Sequence, residues 1–480
     1  MLLGKKKGVD AAGSAVDTCR ECGRVENESW GGEVFTPGSL EALHAGQLEA
    51  LREEDSEIYG LIEKEYKRQR RTLALIAAEN QCSKAVLAAI GTVVQDKTTE
   101  GFVGARFHGG CEVVDDIETL AVERAKKTFL ARFANVQPHS GTAANQIVLT
   151  AVLEKGDRIL SLGVDQGGHL SHGAKVSFTG KFFEVENYNV DRESYLLDYV
   201  KIREQAVRFC PKMIICGATA YAREIDFSRF RAIADEVGAY LLADISHISS
   251  LVIGGAHMSP VDHAHFTTTS TYKPGGPRGG LILMGRDFDK PISVGGREVP
   301  LWSHIEKMTF PGFQGTPYLN HIAAKAVFFN ETMSEEYRAR QFRIIANARR
   351  LAANMVTLGY DVLTGGTDNH MVLINVLNSI PGMTGLTAQQ SLELCGIIVN
   401  KNRLPYDIKS ATVTSGLRLG TPIVSKCGMG ADEIDLMAAM IDKVLRAVKV
   451  LSDTSFELDE AFRAQIEARV CELCERFLIR

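Results

Sequence analysis

The 480-residue sequence lacks the features that mark membrane, nucleic-acid-binding and secreted proteins. No apolar run approaches the roughly 20 residues that a membrane span needs. The net charge is only −5, which gives no reason to expect nucleic acid or an anionic membrane surface as a partner. The first seven residues contain no apolar signal core, and their acidic continuation argues against a transit peptide. We therefore expect a cytoplasmic protein.

Internal repeats and low-complexity segments are also missing from the sequence. A chain of 480 residues is too long for one compact core and is long enough for two domains and an arm. We predict an N-terminal arm with helices over residues 1–95, a large domain over 96–325 and a small C-terminal domain over 326–480. Within the first region, residues 1 to about 50 are predicted as a mobile arm and residues 39–75 as amphipathic helices.

Ten cysteines are an ordinary number for a reducing compartment, where they stay as thiols. Two Cys-x-x-Cys pairs, Cys19 with Cys22 and Cys471 with Cys474, could together supply four thiolates to zinc. Each pair lies near a terminus, and nothing else around it is typical of a zinc module. The helical pattern places Cys471 and Cys474 on one face, which favours packing. We therefore predict no metal site.

A run of hydroxyl residues, 267–271, precedes Lys273 and a tail rich in glycine and proline that ends at Gly280. The β-branched bias predicts a short strand that the tail cannot continue, so Lys273 lies at a strand end, where backbone can approach a ligand closely. An amine beside hydroxyl and glycine N–H donors suits a covalent bond to pyridoxal phosphate. A lysine in a surface loop is the alternative, and this stretch alone does not decide between them.

Two other segments have complementary chemistry. Asp244 ends the apolar run 238–243, which is predicted to be a buried parallel strand, and His247 follows three residues later. A buried carboxylate needs a cationic partner, and the pyridinium nitrogen of the cofactor would be that partner. Residues 139–145 place small and hydroxyl residues before a helical run, where backbone N–H groups bind phosphate. An ordinary helix cap is the alternative for this last segment.

Strand-like and helix-like segments alternate through the middle of the chain. The predicted strands are residues 158–162, 212–216, 239–243, 266–271 and 281–284. Helical runs at 116–131 and 227–237 separate some of them, which favours an α/β domain with a mainly parallel sheet. A long helical region over about 318–359 then leads into a smaller α/β domain.

Six motifs occur in order after Leu51. They are LIAAEN at 75–80, ANVQPHSG at 134–141, GGHLSHG at 167–173, GPRGG at 276–280, GGTDNH at 365–370 and VTSGLR at 413–418. Together they resemble the serine hydroxymethyltransferase family. The resemblance implies the α/β fold of type I pyridoxal-phosphate transferases, with a large domain around a mostly parallel seven-stranded sheet and a smaller C-terminal α/β domain. It also implies a homodimer, or a tetramer, whose sites lie between subunits.

The resemblance assigns cofactor roles residue by residue. Lys273 would bind pyridoxal phosphate covalently, Asp244 would hold the pyridine nitrogen, and His169 would stack on the ring. The further cofactor-binding residues that it implies are Ser140, Gly141, Thr142, Thr219, His247, Gly315 and Thr316. The implied catalytic residues are Lys273, Glu100, His169, Asp244 and His247.

Substrate and folate roles follow from the same resemblance. Arg418 would clamp the substrate carboxylate, because a guanidinium group can bind both oxygens at once, and Glu100 would handle the proton of the substrate hydroxyl. The other implied substrate-side residues are Ala78, Thr98, His108 and Tyr272. The implied folate-side residues are Glu100, Phe107, Val164, Gly168, Leu170, Phe310 and Asn402. Their retention implies one-carbon transfer with tetrahydrofolate as co-substrate.

Departures from the family pattern concentrate around the substrate pocket. Ala78 stands in place of a serine, Tyr272 in place of a histidine, and Thr98, Phe107 and His108 in place of tyrosines. A threonine instead of a tyrosine at 98 leaves space for at least a methyl group. We therefore predict that the enzyme accepts D-alanine and 2-methylserine, in preference to or alongside glycine and serine. In the alternative, His108 or Tyr272 fills the space and the specificity stays with glycine.

Three functions remain open on this basis. The first is a hydroxymethyltransferase that moves a one-carbon unit between a serine-type amino acid and tetrahydrofolate. The second is a folate-independent aldolase or transaldolase acting on a β-hydroxy amino acid, and the third is a catalytically silent binding protein. Retention of Lys273, Asp244 and Arg418 weighs against the third.

Overall fold

The computed structural model describes residues 40–477, which fall into two compact units, residues 40–60 and residues 61–477. The helices are α1 (Leu40–His44), α2 (Gln47–Glu54), α3 (Ser56–Arg71), α4 (Lys84–Ile90), α5 (Glu112–Phe129), α6 (Gly141–Val152), α7 (Phe178–Phe182), α8 (Tyr199–Phe209), α9 (Phe227–Val237), α10 (Ser249–Ile253), α11 (Leu301–Lys307), α12 (Leu319–Thr332), α13 (Glu335–Thr357), α14 (Val376–Ser379), α15 (Gly385–Leu394), α16 (Pro422–Lys426), α17 (Ala431–Ala447) and α18 (Glu460–Arg476). None of these helices between residues 40 and 477 is both long and apolar enough to cross a membrane.

The strands are short and fall mostly into two sheets. They are β1 (Leu73–Ala74), β2 (Gly101–Phe102), β3 (Ala105–Arg106), β4 (Phe133–Asn135), β5 (Arg158–Leu162), β6 (Glu184–Tyr188), β7 (Met213–Cys216), β8 (Tyr240–Asp244), β9 (Phe266–Ser270), β10 (Gly280–Met284), β11 (Pro291–Val294), β12 (Arg297–Pro300), β13 (Asp361–Val362), β14 (Met371–Asn375), β15 (Ile397–Ile398), β16 (Asn400–Asn402), β17 (Gly416–Gly420), β18 (Lys449–Ser452) and β19 (Ser455–Glu457).

The larger sheet has seven strands in the order β4-β10-β9-β8-β7-β5-β6. Strands β9, β8, β7, β5 and β6 run parallel, and β10 is antiparallel to both of its neighbours. The mainly parallel sheet predicted from the sequence is confirmed. The side chains of its central strands are mostly apolar or threonine and are mostly buried on both faces, as parallel strands covered by helices require. Their carboxyl ends meet at one edge, which is where open α/β sheets bind ligands.

The smaller sheet has four antiparallel strands in the order β13-β14-β17-β16. Helix α13 packs on it and α17 packs on α13, through buried apolar side chains such as Leu351, Met355 and Ile441. Cys474 on α18 is buried in the same core, whereas the Cys471 thiol contacts the Arg71 carbonyl at 3.7 Å. Cys19 and Cys22 lie outside the described residues, as does the first part of the predicted arm.

One helix prediction needs correction. Helices α1 to α3 cover residues 40–71, as expected. Residues 73–74, however, form strand β1, which pairs in parallel with β15. Leu73 is buried there, and its N–H donates to the Gly396 carbonyl at 2.9 Å. The helical region predicted over about 318–359 is confirmed, and it consists of two helices, α12 and α13. The Ser334 side chain accepts a hydrogen bond from the Tyr337 N–H at 3.2 Å and so caps a new helix, α13.

Candidate active site

Loops that follow β5, β7, β8 and β9, together with the start of α6, enclose a cavity of about 120 Å³ at the carboxyl edge of the large sheet. Its lining residues are Ser140, Gly141, Thr142, His169, His172, Ala218, Thr219, Asp244, Ser246, His247, Ser270, Tyr272 and Lys273. Nine of these thirteen were predicted from the sequence as cofactor or substrate residues. The strand-end positions therefore brought together residues that are up to 133 positions apart in the chain.

Lys273 lies three residues beyond the end of β9, as its glycine- and proline-rich surroundings predict. Burial lowers the pKa of its ammonium group to about 8, and the nearby Arg418 charge acts in the same direction, while Asp244 opposes them. A larger share of neutral amine is therefore present near pH 8 than for an exposed lysine. Neutral amine is the nucleophilic form, which is what covalent cofactor attachment requires.

The start of α6 forms an anion-binding wall. Ser140 caps the helix by accepting a hydrogen bond from the Ala143 N–H at 3.0 Å. A side chain at Gly141 would lie 3.1 Å from the Ser270 backbone nitrogen, so backbone from two elements meets closely here. The Ser270 hydroxyl is buried and has no partner among residues 40–477. Free N–H groups at a helix start and an unused hydroxyl suit a phosphate group.

Asp244 at the end of β8 is buried and held by four donors. One carboxylate oxygen accepts from Asn145 Nδ2 at 2.8 Å and from His172 Nε2 at 3.0 Å. The other accepts from the Ser246 N–H at 3.0 Å and from its hydroxyl at 2.6 Å. Burial by itself would raise the pKa of Asp244, but these hydrogen bonds hold it below its ordinary value. The group is therefore a fixed negative charge beside the cavity.

Two histidines that were predicted from the sequence face the same cavity in neutral form. Burial lowers the pKa of His169 to about 4, and burial also lowers that of His247, with Lys273 and Arg418 adding to the effect. The His247 Nδ1 atom is buried without a partner among the described residues. Behind it, the His370 ring is stacked at 5.9 Å between centroids. A neutral ring with an unused nitrogen is able to hydrogen-bond a bound molecule.

Arg418 lies on the small sheet and contacts Thr219, one of the residues that line the cavity. It lies on β17 with only 7% of its surface exposed, and it donates to the Thr219 carbonyl at 2.6 Å and to Asn400 Oδ1 at 3.2 Å. Burial lowers the pKa of its guanidinium group to about 10. No carboxylate within residues 40–477 forms an ion pair with it. A buried cation with neutral partners alone is costly, and the substrate carboxylate would compensate for that cost.

These residues fit pyridoxal phosphate. The cavity offers an amine with a lowered pKa at Lys273, a helix start for a phosphate, and an ionised Asp244 for a protonated ring nitrogen. It also contains two buried polar atoms, Ser270 Oγ and His247 Nδ1, which have no partner in the described part of the chain and which a bound polar group would satisfy.

A second group of predicted residues does not line this cavity. Glu100 lies beside His108, whose Nδ1 is 3.3 Å from Glu100 Oε2, and the Phe107 ring packs edge-to-face on Phe310 at 5.3 Å between centroids. The remaining members are Thr98, Gly315 and Thr316. Gly315 lies opposite Glu100, and the Thr316 carbonyl is 3.2 Å from His139 Nε2. The second group thus forms its own cluster on the hairpin β2–β3 and the loop before α12.

The other folate-side and substrate-side residues lie on segments that support the cavity. Val164, Gly168 and Leu170 belong to the loop that carries His169, and Asn402 lies on β16, which pairs with the strand of Arg418. A side chain at Gly168 would collide with the Leu162 carbonyl, which explains the glycine. Ala78 follows Ala77, whose carbonyl lies 3.1 Å from His370 Nε2.

Four positions in and around the site were missed from the sequence. His172, Ser246 and Asn145 are the donors to Asp244, and His370 supports His247. Three of them lie in stretches singled out for other residues: Asn145 in 139–145, His172 in 167–173 and His370 in 365–370. The spacing of His169 and His172 was the available signal, because both point towards one carboxylate when the loop turns between them.

Comparisons with known proteins agree with this geometry. A family model described as serine hydroxymethyltransferase matches residues 51–441. A serine hydroxymethyltransferase from Methanosarcina barkeri (strain Fusaro / DSM 804) is 44% identical over 431 residues, which cover 89% of this chain and 98% of the relative. Enzymes of that family have the type I fold, bind pyridoxal phosphate, and transfer a hydroxymethyl group between serine and glycine with tetrahydrofolate as co-substrate. This chain belongs to the serine hydroxymethyltransferase family.

Proposed function

We propose that this transferase accepts an α-methyl substituent and converts D-alanine and 2-methylserine into one another, alongside glycine and serine. The proposal is supported by the short side chain of Thr98, which is exposed in the single chain and stands where the family has a tyrosine, so that a substrate pocket completed by this residue would have space for a methyl group. A pocket that differs by about one methyl group discriminates by about 1–3 kcal/mol, so glycine and serine remain substrates. The tetrahydrofolate-side residues are those predicted from the sequence.

The residues around the cavity bind different parts of the substrate and the cofactor. Arg418 holds the substrate carboxylate with two donors, and Ser140, Gly141 and Thr142 hold the cofactor phosphate. Lys273 would hold the cofactor covalently, and the ionised Asp244 would favour a positive charge on its ring nitrogen. Pyridoxal phosphate, when bound, supplies an electron sink for the α-carbon of the amino acid. The buried neutral His169 would cover the ring and exclude water.

Glu100 would move the proton of the substrate hydroxyl. His108 lies 3.3 Å from this carboxylate and can orient it. Proton transfer by a positioned side chain contributes typically about 10²- to 10⁴-fold to a rate. In the single chain, however, Glu100 belongs to the second group rather than to the Lys273 cavity.

We infer that the active unit is a homodimer in which the second group of one subunit completes the cavity of its partner. The Phe107 ring is 75% exposed, and Val103 in the hairpin β2–β3 and Phe313 in the segment that follows Phe310 are also exposed, which is unfavourable for a free surface. A two-fold dimer would cover this surface and bring Glu100, Thr98 and Thr316 to the other subunit's cavity. The tetramer remains the alternative.

Mixing two inactive variants tests the shared site. We expect Lys273→Ala and Glu100→Gln each to be inactive, and a refolded or co-expressed mixture to regain about one quarter of the wild-type activity, because half of the dimers are hybrids with one intact site. The measurement is hydroxymethyl transfer against the fraction of hybrid, with two affinity tags to isolate it. If the hybrid is as inactive as its parents, the two groups act within one chain.

The substrate proposal predicts that D-alanine exchanges its α-proton with solvent at a rate within about tenfold of glycine. Thr98→Tyr should lower the exchange of D-alanine by at least about tenfold and leave that of glycine nearly unchanged, because a ring would occupy the space of the methyl group. Proton NMR in deuterium oxide measures both rates. Because Thr98 is exposed in the single chain, the variant should fold as the parent enzyme does.

Two results would contradict this reading. If D-alanine shows no exchange in the parent enzyme, the pocket is filled by His108 or Tyr272 and the specificity stays with glycine. If cleavage of 2-methylserine or serine proceeds equally fast with and without tetrahydrofolate, a folate-independent aldolase is the better description.

A further inference from the structure

One lysine lies in the protein interior, behind the cofactor cavity rather than in it. Lys325, on α12, is 2% exposed, and it is the one lysine of residues 40–477 that is fully buried. No carboxylate in the described part of the chain forms an ion pair with it. Burial lowers the pKa of its ammonium group to about 7, and the charge of Glu118 opposes this effect. Burying an amine without a carboxylate destabilises the fold, whereas a methionine would fill the space without that cost.

The amine of Lys325 connects two segments of backbone. Its Nζ atom donates to the Val136 carbonyl at 2.6 Å and to the Gly280 carbonyl at 2.8 Å. Val136 directly follows β4, and Gly280 is the first residue of β10. An amine keeps two N–H donors even when it is neutral, so both hydrogen bonds persist on either side of its pKa. Two directed donors are what an apolar side chain at this position could not supply.

Each of these segments continues into a wall of the cofactor cavity. After Val136 the chain runs through Pro138 to Ser140, which caps α6 at the proposed phosphate site. Before Gly280 lies the loop that begins at Lys273. The two segments also meet directly, because the Gly280 N–H donates to the Pro138 carbonyl at 2.8 Å. The buried amine thus lies at the junction between the two walls.

The loop that carries Lys273 is folded tightly against the Lys325 side chain. At the start of this loop, Thr271 donates from Oγ1 to the Pro277 carbonyl at 2.7 Å and from its N–H to the Gly279 carbonyl at 3.0 Å. A side chain at Gly279 would lie 2.5 Å from Lys325 Cε, so the glycine leaves room for the lysine. Because the loop is braced by these bonds, a shift at its end would move Lys273 as well.

We propose that Lys325 is a positioning residue for cofactor binding, which holds the Lys273 loop and the start of α6 at the separation that one cofactor molecule spans. The cofactor would be attached covalently at Lys273 and through its phosphate at residues 140–142, so its affinity depends on the distance between these points. The inference rests on these proposed cofactor roles and is independent of the amino-acid substrate. A second subunit cannot reach Lys325, since the side chain is already buried within one chain.

Replacing Lys325 by methionine is expected to raise the dissociation constant of pyridoxal phosphate at least about tenfold, because the two walls are no longer held together. The kcat of the cofactor-saturated variant should also fall, since a displacement of about 1 Å can lower a rate about 100-fold. Equilibrium dialysis of the full-length protein, with absorbance of the bound cofactor, measures the dissociation constant. Lys325→Gln keeps one donor on a shorter side chain and should show a smaller rise, about threefold, which serves as the test if Lys325→Met does not fold.

Hydrogen exchange provides a readout that does not depend on activity. The N–H groups of Thr271 and Gly280 are hydrogen-bonded at the junction, at 3.0 and 2.8 Å. In Lys325→Met, peptides that contain these amides should exchange at least about tenfold faster than in the parent enzyme. The Ile245 N–H, which donates to the Thr268 carbonyl at 2.9 Å beyond the end of β8, should exchange at an unchanged rate. Mass spectrometry of peptides measures both rates.

Arg231 provides the matched control for a general loss of stability. It is buried on α9 and donates to the His263 carbonyl at 2.9 Å, and neither residue lines the cofactor cavity. Arg231→Met should lower the free energy of unfolding and leave the dissociation constant of the cofactor unchanged. Equal weakening of cofactor binding by Arg231→Met and Lys325→Met would overturn the proposal, as would a parent-like dissociation constant in the Lys325 variant that folds. A reducible bond that survives in Lys273→Ala would instead contradict the proposed role of Lys273, so the two failures are distinguishable.

Discussion

Replacing Lys273 by alanine is expected to lower the turnover of hydroxymethyl transfer by at least about 1,000-fold. The amine at this position is the one whose lowered pKa, about 8, provides neutral nucleophile near neutral pH. The variant should also lose the borohydride-reducible bond to the cofactor and the yellow colour that accompanies it. Absorbance after reduction and dialysis, together with the mass of the protein, measures the bond directly.

An exposed lysine serves as the matched control for this variant. Lys201→Ala removes a side chain that is 67% exposed on α8, and it should leave both the colour and the rate unchanged. Added methylamine should restore part of the activity of Lys273→Ala, since a small amine can enter the space left by the side chain. Retention of a reducible bond in Lys273→Ala would show that a different lysine binds the cofactor.

Replacing Arg418 by methionine is expected to lower kcat/KM for the amino acid by at least about 100-fold. Loss of one partner from a buried charge pair costs about 2–5 kcal/mol, and most of this cost reduces the free energy of binding of the substrate carboxylate. The free energy of unfolding should change by less than about 2 kcal/mol, because the removed charge is buried with neutral partners and its loss offsets the lost hydrogen bonds. Steady-state kinetics and chemical unfolding measure the two quantities.

Arg343 provides the comparison for Arg418. It lies on α13 and donates two hydrogen bonds to the Ser425 carbonyl at 3.1 and 3.0 Å, away from the cavity. Arg343→Met should lower stability and leave kcat/KM nearly unchanged, the opposite pattern. Arg418→Lys keeps the charge but offers no planar pair of donors, so it should remain impaired. Equal kcat/KM for Arg418→Met and the parent enzyme would remove Arg418 from the substrate site.

The large sheet could be predicted well because its strands are buried on both faces. Residues 158–162 and the helix 227–237 were predicted with the bounds that the structure has. Strands β4 and β6 were missed, since β4 has three residues and β6 contains Glu184, Glu186 and Asn187, which do not form an apolar run. The antiparallel direction of β10 also has no signature in its own residues. It depends on pairing with β4 and β9, which are distant in the chain.

The candidate site could be predicted only in part, because a motif identifies residues but not their partners. Lys273 and Asp244 were found from their positions at strand ends. Their supporting residues, Asn145 and His172, depend on the way two loops approach one carboxylate in space. The separation of Glu100 from the cavity likewise depends on tertiary structure, since the sequence places it among the same family motifs as Lys273.

Some predictions concern properties that a single chain does not test. The domain bounds at 95/96 and 325/326 remain a proposal, which is supported by the confinement of the seven-stranded sheet to residues 133–284 and of the four-stranded sheet to residues 361–420. The cytoplasmic location and the mobile arm also remain predictions. The arm falls largely on residues 1–39, outside the described part of the chain.

The position of Arg418 on the small sheet has a consequence for synthesis of the protein. Every lining residue of the cofactor cavity lies between Ser140 and Lys273, whereas Arg418 is made about 145 residues later. During translation, the emerging chain can complete the large sheet and its cavity before any group for the substrate carboxylate exists. The group for the substrate carboxylate is therefore the last part of the site to be synthesised, after every residue that lines the cofactor cavity.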